Sequence, residues 1–314
     1  MKKFLTLVFI ALAAIAVLMI LRNTSTKNTT TIGIIQTASH PALDLIRESF
    51  AKTIEKRRDD KITIQFQNAE GQISQARAIA KSFHADKNIK AIFTIATPAT
   101  QAMTSIETIK PIIFSAVTDP TAIGIDNIPN VTGISDMINI PKSIFMLHTL
   151  LPNAHSVGIL FNVREVNSVT LVRMMEEELN RINIPFIEIG INNEDEIASA
   201  TSIACKKTDV ILCPTDNTVA AAIDTIVDIT NKAKIPLIVS DNLLIERGAL
   251  AACGVDYSES GRNAAEMTIG VLLNGRSIQD FPIQTAGSEK ITINKKVADM
   301  LGIAIPESLI ENVI

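Results

Sequence analysis

The sequence has no tryptophan and a single tyrosine, Tyr257, so aromatic residues make up only 4% of its 314 residues. It also has no long run of basic residues, and its formal net charge is −4. Nucleic-acid binding needs clustered lysine and arginine that neutralise phosphates, so the composition argues against that function. Hydrophobic residues make up 47% of the chain, and its length allows two domains with sizeable cores.

Cysteine is also scarce. Cys205, Cys213 and Cys253 are odd in number and show no Cys-x-x-Cys spacing, so we predict no metal site. Their favoured interpretation is small buried hydrophobic side chains, and one disulfide stays open if the compartment is oxidising.

The usual catalytic motifs are missing as well. The sequence contains no Gly-x-Ser-x-Gly, no Gly-x-x-x-x-Gly-Lys, no Gly-x-Gly-x-x-Gly and no His-Glu-x-x-His. The four histidines are scattered, and only His40, at a strand end beside Pro41, is a candidate contact residue. We therefore predict a binding protein without a cofactor rather than an enzyme.

The amino terminus has the pattern of an export signal. Two lysines precede an apolar run over residues 4–21, which reaches the lower limit for a membrane-spanning helix. No cysteine for lipid attachment follows, and no small-x-small cleavage site is convincing. Residues 1–22 are thus predicted to be a cleaved signal peptide or an anchor, followed by a linker over residues 23–30. Either alternative places the globular part outside the cytoplasmic membrane.

Short apolar runs recur in the same order about 120 residues apart, which indicates an internal duplication. The runs at 31–36, 91–97 and 111–120 match those at 156–161, 209–215 and 236–242. The run Pro111-Ile-Ile-Phe-Ser-Ala-Val-Thr-Asp-Pro120 is typical of a buried parallel strand that ends in a polar loop. Predicted helices separate the runs. The pattern predicts an α/β protein of two similar lobes with a cleft between them.

Polar residues follow these strands, often just before a helix. Hydroxyls at helix amino termini bind carboxylates, and an aspartate can pair with an ammonium group, so the set suits a zwitterion. The alternative, that each residue only caps its helix, stays open. The candidates are His40, Thr97, Ser115, Thr118, Asp119, Asn167, Ser168, Thr215, Asp216, Asn217, Asp241, Asn242 and Asp256. Thr132-Gly-Ile-Ser-Asp136 is interpreted as a segment that crosses between the lobes.

Several motifs resemble, in order and over residues 31–285, the ABC transporter substrate-binding family typified by tryptophan-binding proteins. They are His40-Pro-Ala-Leu-Asp44, Gln67-Asn-Ala-Glu-Gly71, Thr97-Pro-Ala99, Phe114-Ser-Ala-Val-Thr-Asp-Pro120, Thr132-Gly-Ile-Ser-Asp136, Pro214-Thr-Asp-Asn-Thr-Val219, Arg247-Gly-Ala-Leu250 and Gly254-Val-Asp-Tyr257. The resemblance implies a type I periplasmic-binding fold, in which two Rossmann-like lobes with parallel sheets are joined by three hinge crossings. We expect residues 31–134 plus about 243–282 in lobe 1, and 135–242 plus about 283–314 in lobe 2.

The resemblance also implies a site and a function. It puts Thr97, Ser115, Asp119, Ser135, Thr215, Asp216, Asn217, Asp241 and Asp256 at or near the ligand, and Asn167 and Ser168 match the family's Asn-Ser pair. The ligand of characterised relatives is an aromatic amino acid, which Asp119 or Asp216 would hold by its ammonium group. The implied protein is a monomeric extracytoplasmic receptor that delivers this ligand to an ABC permease with a separate ATPase. An alternative is the ligand-sensing domain of a membrane-anchored signalling protein.

Overall fold

The computed structural model describes residues 30–57, 62–287 and 289–314. Strands and helices alternate through the first part of the chain. These elements are β1 (Thr30–Gln36), α1 (Pro41–Lys56), β2 (Ile62–Asn68), α2 (Ile73–Ala85), β3 (Ile89–Ile95), α3 (Thr97–Thr104), β4 (Ile112–Val117) and β5 (Val131–Ser135).

The second part begins with α4 and repeats the alternation before three late strands. Its elements are α4 (Ile140–Leu150), β6 (Val157–Asn162), α5 (Val166–Arg181), β7 (Phe186–Ile191), α6 (Ile197–Lys207), β8 (Val210–Cys213), α7 (Asn217–Ala221), α8 (Ile223–Ala233), β9 (Leu237–Val239), β10 (Ala251–Gly254), α9 (Tyr257–Leu272), β11 (Gln284–Thr285), β12 (Lys290–Ile293) and α10 (Lys295–Leu301).

The strands form two six-stranded sheets with corresponding orders, β2-β1-β3-β4-β5-β11 and β7-β6-β8-β9-β10-β12. Every residue of β4, β5 and β6 is buried, as expected for strands covered on both faces by helices. The predicted two-lobed α/β fold is therefore confirmed. One strand departs from the expected parallel arrangement, because β12 pairs antiparallel with β10 at the edge of the second sheet.

The chain passes between the sheets three times, after β5, β10 and β11, which agrees with the three expected crossings. The interpretation of Thr132–Asp136 as a crossing needs a correction, because residues up to Ser135 form a strand of the first sheet. Gly133 permits this pairing, since a Cβ at this position would lie 2.2 Å from the carbonyl oxygen of Phe114. The crossing itself begins only after this strand.

The predicted lobe boundaries stay a prediction, and strand pairing favours a refinement of them. Strand β10 pairs with β9 in the second sheet, whereas β11 pairs with β5 in the first. We therefore propose that the second lobe continues to about residue 254 and that the first lobe takes residues 257–285.

Two terminal predictions lie wholly or mostly outside the described residues. The predicted signal peptide or anchor, residues 1–22, is among those not described, and of the linker 23–30 only Thr30 is described, as the first residue of β1. Within the described ranges, no helix is long and apolar enough to cross a membrane.

Helix α9 packs against α1 and so covers the first sheet. The helices approach closely at Gly261, where an added Cβ would lie 2.3 Å from the carbonyl oxygen of Ile46. On α1 the apolar residues Leu43, Ile46 and Phe50 share one buried face. The close contact between α9 and α1 therefore requires glycine at position 261.

We expect Gly261→Ala to lower the free energy of unfolding by about 1–3 kcal/mol. Alanine is better than glycine in a helix by roughly 0.5–1 kcal/mol, but the overlap with the main chain of α1 outweighs this gain. Urea denaturation followed by circular dichroism measures the change. Asn263→Ala on the same helix is the control, and equal stability of the two variants would contradict the packing argument.

Candidate functional site

An enclosed cavity of about 20 Å³ lies between the lobes, at the carboxyl ends of the strands. A volume this small cannot accommodate an amino acid, so ligand entry requires the lobes or side chains to move apart. The polar residues that line it are His40, Thr118, Asp136, Asn167, Thr215, Asp216, Asn217, Ser240, Asp241 and Tyr257. Apolar lining comes mainly from Leu43, Val219, Val239 and Leu244.

A wider groove of about 630 Å³ lies beside the cavity and is also lined from both lobes. Its walls include Arg77 from the first lobe and Arg164 and Glu165 from the second, and Asn217 lines the groove as well as the cavity.

Two aspartates give the cavity an acidic wall. In Asp241, Oδ1 accepts the Leu243 amide at 2.9 Å, while Oδ2 is buried with no hydrogen-bond partner among the described residues. In Asp136, the carboxylate accepts bonds from the hydroxyls of Thr118 at 3.1 Å and Tyr257 at 3.3 Å. Burial raises the pKa of Asp136 to about 6, and burial together with the charge of Asp136 raises that of Asp241 to about 7. A cation placed here would stabilise both carboxylates.

Asp216 is buried beside the same cavity, but its oxygens already have partners. It caps α7 by accepting the Val219 amide at 2.9 Å, and it accepts the Asn162 amide at 2.7 Å and the Ser168 hydroxyl at 2.6 Å. Burial and the nearby charge of Glu165 raise its pKa to about 7. This residue therefore holds the loop before α7 in place.

A buried hydrogen bond joins the lobes across the cavity. His40 Nε2, from the first lobe, lies 3.3 Å from Asn217 Oδ1, from the second. The Asn217 side chain also donates from Nδ2 to Glu165 Oε2 at 2.5 Å. Burial lowers the pKa of His40, so the imidazole is neutral at pH 7.

The backbone at the end of β4 is strained. Ala116, which lines the cavity, has a φ of +56°, and the register with β5 shifts between Ser115 and Val117. A non-glycine residue in this region costs of the order of 1–3 kcal/mol. The irregularity ends the regular strand just before Thr118, whose hydroxyl meets Asp136.

The structure gathers seven of the predicted site residues at the cavity. They are His40, Thr118, Asn167, Thr215, Asp216, Asn217 and Asp241. Four more, Thr97, Ser115, Ser135 and Ser168, are buried but do not line it. Which of them contact a ligand stays a prediction.

Two predicted residues, Asp119 and Asp256, lie outside the cavity lining. Asp119 accepts the amides of Thr121 and Ala122 in a turn, and Asp256 caps α9. Asp256 therefore caps a helix and Asp119 stabilises a turn, and whether either contacts a ligand stays a prediction.

The sequence reasoning did not select two residues that bond within or beside the cavity, Asp136 and Glu165. Asp136 directly follows Ser135 in a recognised motif, and Glu165 precedes Asn167 by two residues, but neither was selected. Tyr257 lies at the end of another motif and contributes the aromatic ring of the cavity wall. Only the folded arrangement shows that the Tyr257 hydroxyl meets the Asp136 carboxylate and that Glu165 meets Asn217.

The model of the family described as "ABC transporter substrate binding protein" matches residues 31–313. A relative from Clostridioides difficile named tyrosine-binding protein is 36% identical over 290 residues, covering 89% of this chain and 84% of that protein. The chain therefore belongs to the family of ABC transporter substrate-binding proteins. This membership confirms the predicted family and the prediction of a binding protein rather than an enzyme.

Two solved structures of relatives differ in how well they superpose. A Streptococcus pneumonia ABC domain in complex with L-Trp is 31% identical, with a TM-score of 0.85 over 90% of this chain and 100% of that one. The ligand-free, open structure of a substrate-binding protein with adhesive properties from Clostridium difficile is 34% identical, but its TM-score is 0.66 over 91% and 98%. This protein therefore superposes better on the L-Trp complex than on the ligand-free, open structure.

The raised pKa of Asp241 predicts how stability depends on pH in the ligand-free protein. The ordinary value is 3.8 and the folded value about 7, so the folded state binds the proton more tightly than the unfolded state. This contribution to stability is full below about pH 4 and is lost as the pH rises through 7. We expect Asp241→Asn, which cannot ionise, to be more stable than wild type at pH 8 by roughly 2–4 kcal/mol.

Urea denaturation at pH 4, 6 and 8 measures this difference, which should shrink towards pH 4. Asp256→Asn is the control, because the pKa of that capping aspartate is lowered and its replacement should bring no gain at pH 8. If Asp241→Asn is less stable than wild type at pH 8, the folded protein stabilises the ionised Asp241 carboxylate and the argument from its raised pKa is wrong.

Proposed function

We propose that this protein captures an aromatic L-amino acid between its lobes, outside the cytoplasmic membrane. The relative named tyrosine-binding protein and the L-Trp complex support this ligand class, because both are more than 30% identical to this chain over about nine tenths of its length. The observation that carries the proposal is the buried Asp241 carboxylate, whose Oδ2 is left without a partner among the residues described.

The ammonium group of the ligand would bind at the acidic wall. Asp241 and Asp136 are better candidates for this role than Asp119 or Asp216. Asp119 does not line the cavity, and Asp216 already accepts three short hydrogen bonds. Asp241 Oδ2 is buried and no longer bonds to water. A charge-assisted hydrogen bond from the ligand ammonium would take the place of those bonds.

The rest of an aromatic zwitterion also has suitable partners here. The hydroxyl of Thr215 is a candidate donor to the carboxylate, since its Oγ1 is buried without a partner in the described part of the chain. Tyr257 and the apolar Leu43 and Leu244 offer contacts to an aromatic side chain.

Ligand binding would favour an arrangement in which the lobes close around the ligand, with the cavity wider than its present volume of about 20 Å³, because a ligand there contacts both lobes. Membership of the family implies an extracytoplasmic location and delivery to an ABC permease with a separate ATPase. We propose that the closed lobes together form the surface that the permease recognises and that the receptor acts as a monomer.

A thermal-shift screen of the purified protein against the twenty amino acids tests the ligand class. A ligand that binds only the native state raises its stability by about 2.7 kcal/mol at one hundred times its dissociation constant. We expect midpoint shifts of a few degrees with tyrosine, tryptophan or phenylalanine and none with aliphatic or charged amino acids. A response confined to other amino acids would contradict the aromatic assignment.

Isothermal titration calorimetry with the best aromatic ligand then tests the ammonium site. Asp241→Asn should weaken binding by about 10–150-fold, since a hydrogen bond to a charged group contributes roughly 1.5–3 kcal/mol. Asp119→Asn is the control and should bind as wild type does. If the two variants bind alike, the ammonium group is held elsewhere.

A further inference from the structure

The cavity presents mainly hydrogen-bond acceptors. Four of its polar atoms are buried and have no partner within the described ranges, namely His40 Nδ1, Asn167 Oδ1, Thr215 Oγ1 and Asp241 Oδ2. An amide or carboxylate oxygen can only accept, and the threonine hydroxyl alone can also donate. An asparagine could equally well present its N–H groups, so something must fix its orientation.

For Asn167 the orientation follows from what surrounds its amino group. Nδ2 lies 2.9 Å from the carbonyl oxygen of Thr215 and 3.2 Å from Glu165 Oε2, and both of these atoms only accept hydrogen bonds. The N–H groups must therefore point towards them. The amide oxygen consequently faces the cavity.

For Asn217 the same carboxylate decides the orientation. Nδ2 donates to Glu165 Oε2, so Oδ1 faces His40 Nε2 on the opposite lobe. Because an amide oxygen cannot donate, the imidazole must carry its proton on Nε2. The neutral ring then has a bare lone pair on Nδ1, which is the buried atom at the cavity.

We propose that Glu165 is a positioning residue that makes the ligand site an acceptor of hydrogen bonds and so selects ligands rich in N–H and O–H donors. Glu165 lines the groove rather than the cavity, so it acts through Asn167, Asn217 and His40. The inference rests on the proposed function, because the α-ammonium of an amino acid supplies the donors.

The role requires a carboxylate, since Glu165 accepts five hydrogen bonds and donates none. Oε1 accepts the amide and the hydroxyl of Thr218, and Oε2 accepts both asparagine side chains and the Asn217 amide. A glutamine at this position has one oxygen and one amino group. The amino group of that glutamine would face N–H or O–H groups that now donate to Glu165. An asparagine side chain that rotated to accept from it would then present its own N–H groups to the ligand ammonium.

The test compares each aromatic amino acid with its desamino analogue, which has the same ring and carboxylate but lacks the ammonium. The pairs are L-tyrosine with 3-(4-hydroxyphenyl)propionate and L-tryptophan with indole-3-propionate. Calorimetry on wild type should show a preference for the amino acid. In Glu165→Gln we expect this preference to fall about tenfold or more, mostly through weaker binding of the amino acid.

Glu107→Gln is the matched control. Glu107 is also a buried glutamate that accepts two main-chain amides, those of Ile109 and Lys110, but it does not line the cavity or the groove. This variant should lose stability and keep the wild-type preference. Circular dichroism shows whether each variant folds.

If Glu165→Gln does not fold, Asn167→Ala tests whether the oriented acceptors select the ammonium group. This variant removes one such acceptor and keeps four of the five hydrogen bonds that Glu165 accepts. We expect Asn167→Ala to weaken binding of the amino acid more than binding of its desamino analogue. An equal loss for amino acid and analogue, or no loss, in the folded variant would overturn the role of Glu165. Wild type that binds none of the four compounds would instead contradict the proposed aromatic ligand.

Discussion

Two parallel sheets meet with their carboxyl ends at one cleft, and the rest of the site depends on this arrangement. Every strand except the antiparallel β12 delivers its following loop to the same side, so polar residues far apart in sequence converge there. His40 follows β1, Asp136 follows β5 and Asp241 follows β9. Closing the lobes removes these groups from water, and the resulting cost is largest for the carboxylates.

That cost connects folding with binding. Burial raises the pKa of both Asp136 and Asp241, and the charge of Asp136 raises that of Asp241 further. Protonation or opening of the lobes lowers this cost, and the ammonium group of the proposed ligand would lower it as well. The same carboxylates therefore make the closed protein less stable at high pH and make a cationic group a strong partner.

The buried polar groups at the cavity divide into those whose hydrogen bonds hold the loops and those with an oxygen that has no partner within the described residues. Asp216 and Glu165 are saturated with hydrogen bonds from main-chain amides and neighbouring side chains, so they shape the loops. Asp241 and Asn167 each keep one oxygen without a partner in the part of the chain that the structure describes. Saturated and free acceptors look alike in sequence, although their roles differ.

The sequence by itself determined the two-lobed α/β fold, because buried strands, helical spacing and the repeated order of apolar runs are local patterns. It also predicted most of the polar residues that line the cavity, since polar residues after parallel strands collect at one edge. Only the tertiary structure decided that Ser135 belongs to a strand, that Asp119 and Asp256 lie outside the cavity lining, and that Asp136 lines the cavity while Glu165 bonds to Asn167 and Asn217. Burial and hydrogen-bond partners fix those positions, and several of the partners are distant in sequence, such as Tyr257 for Asp136 and Asn217 for Glu165.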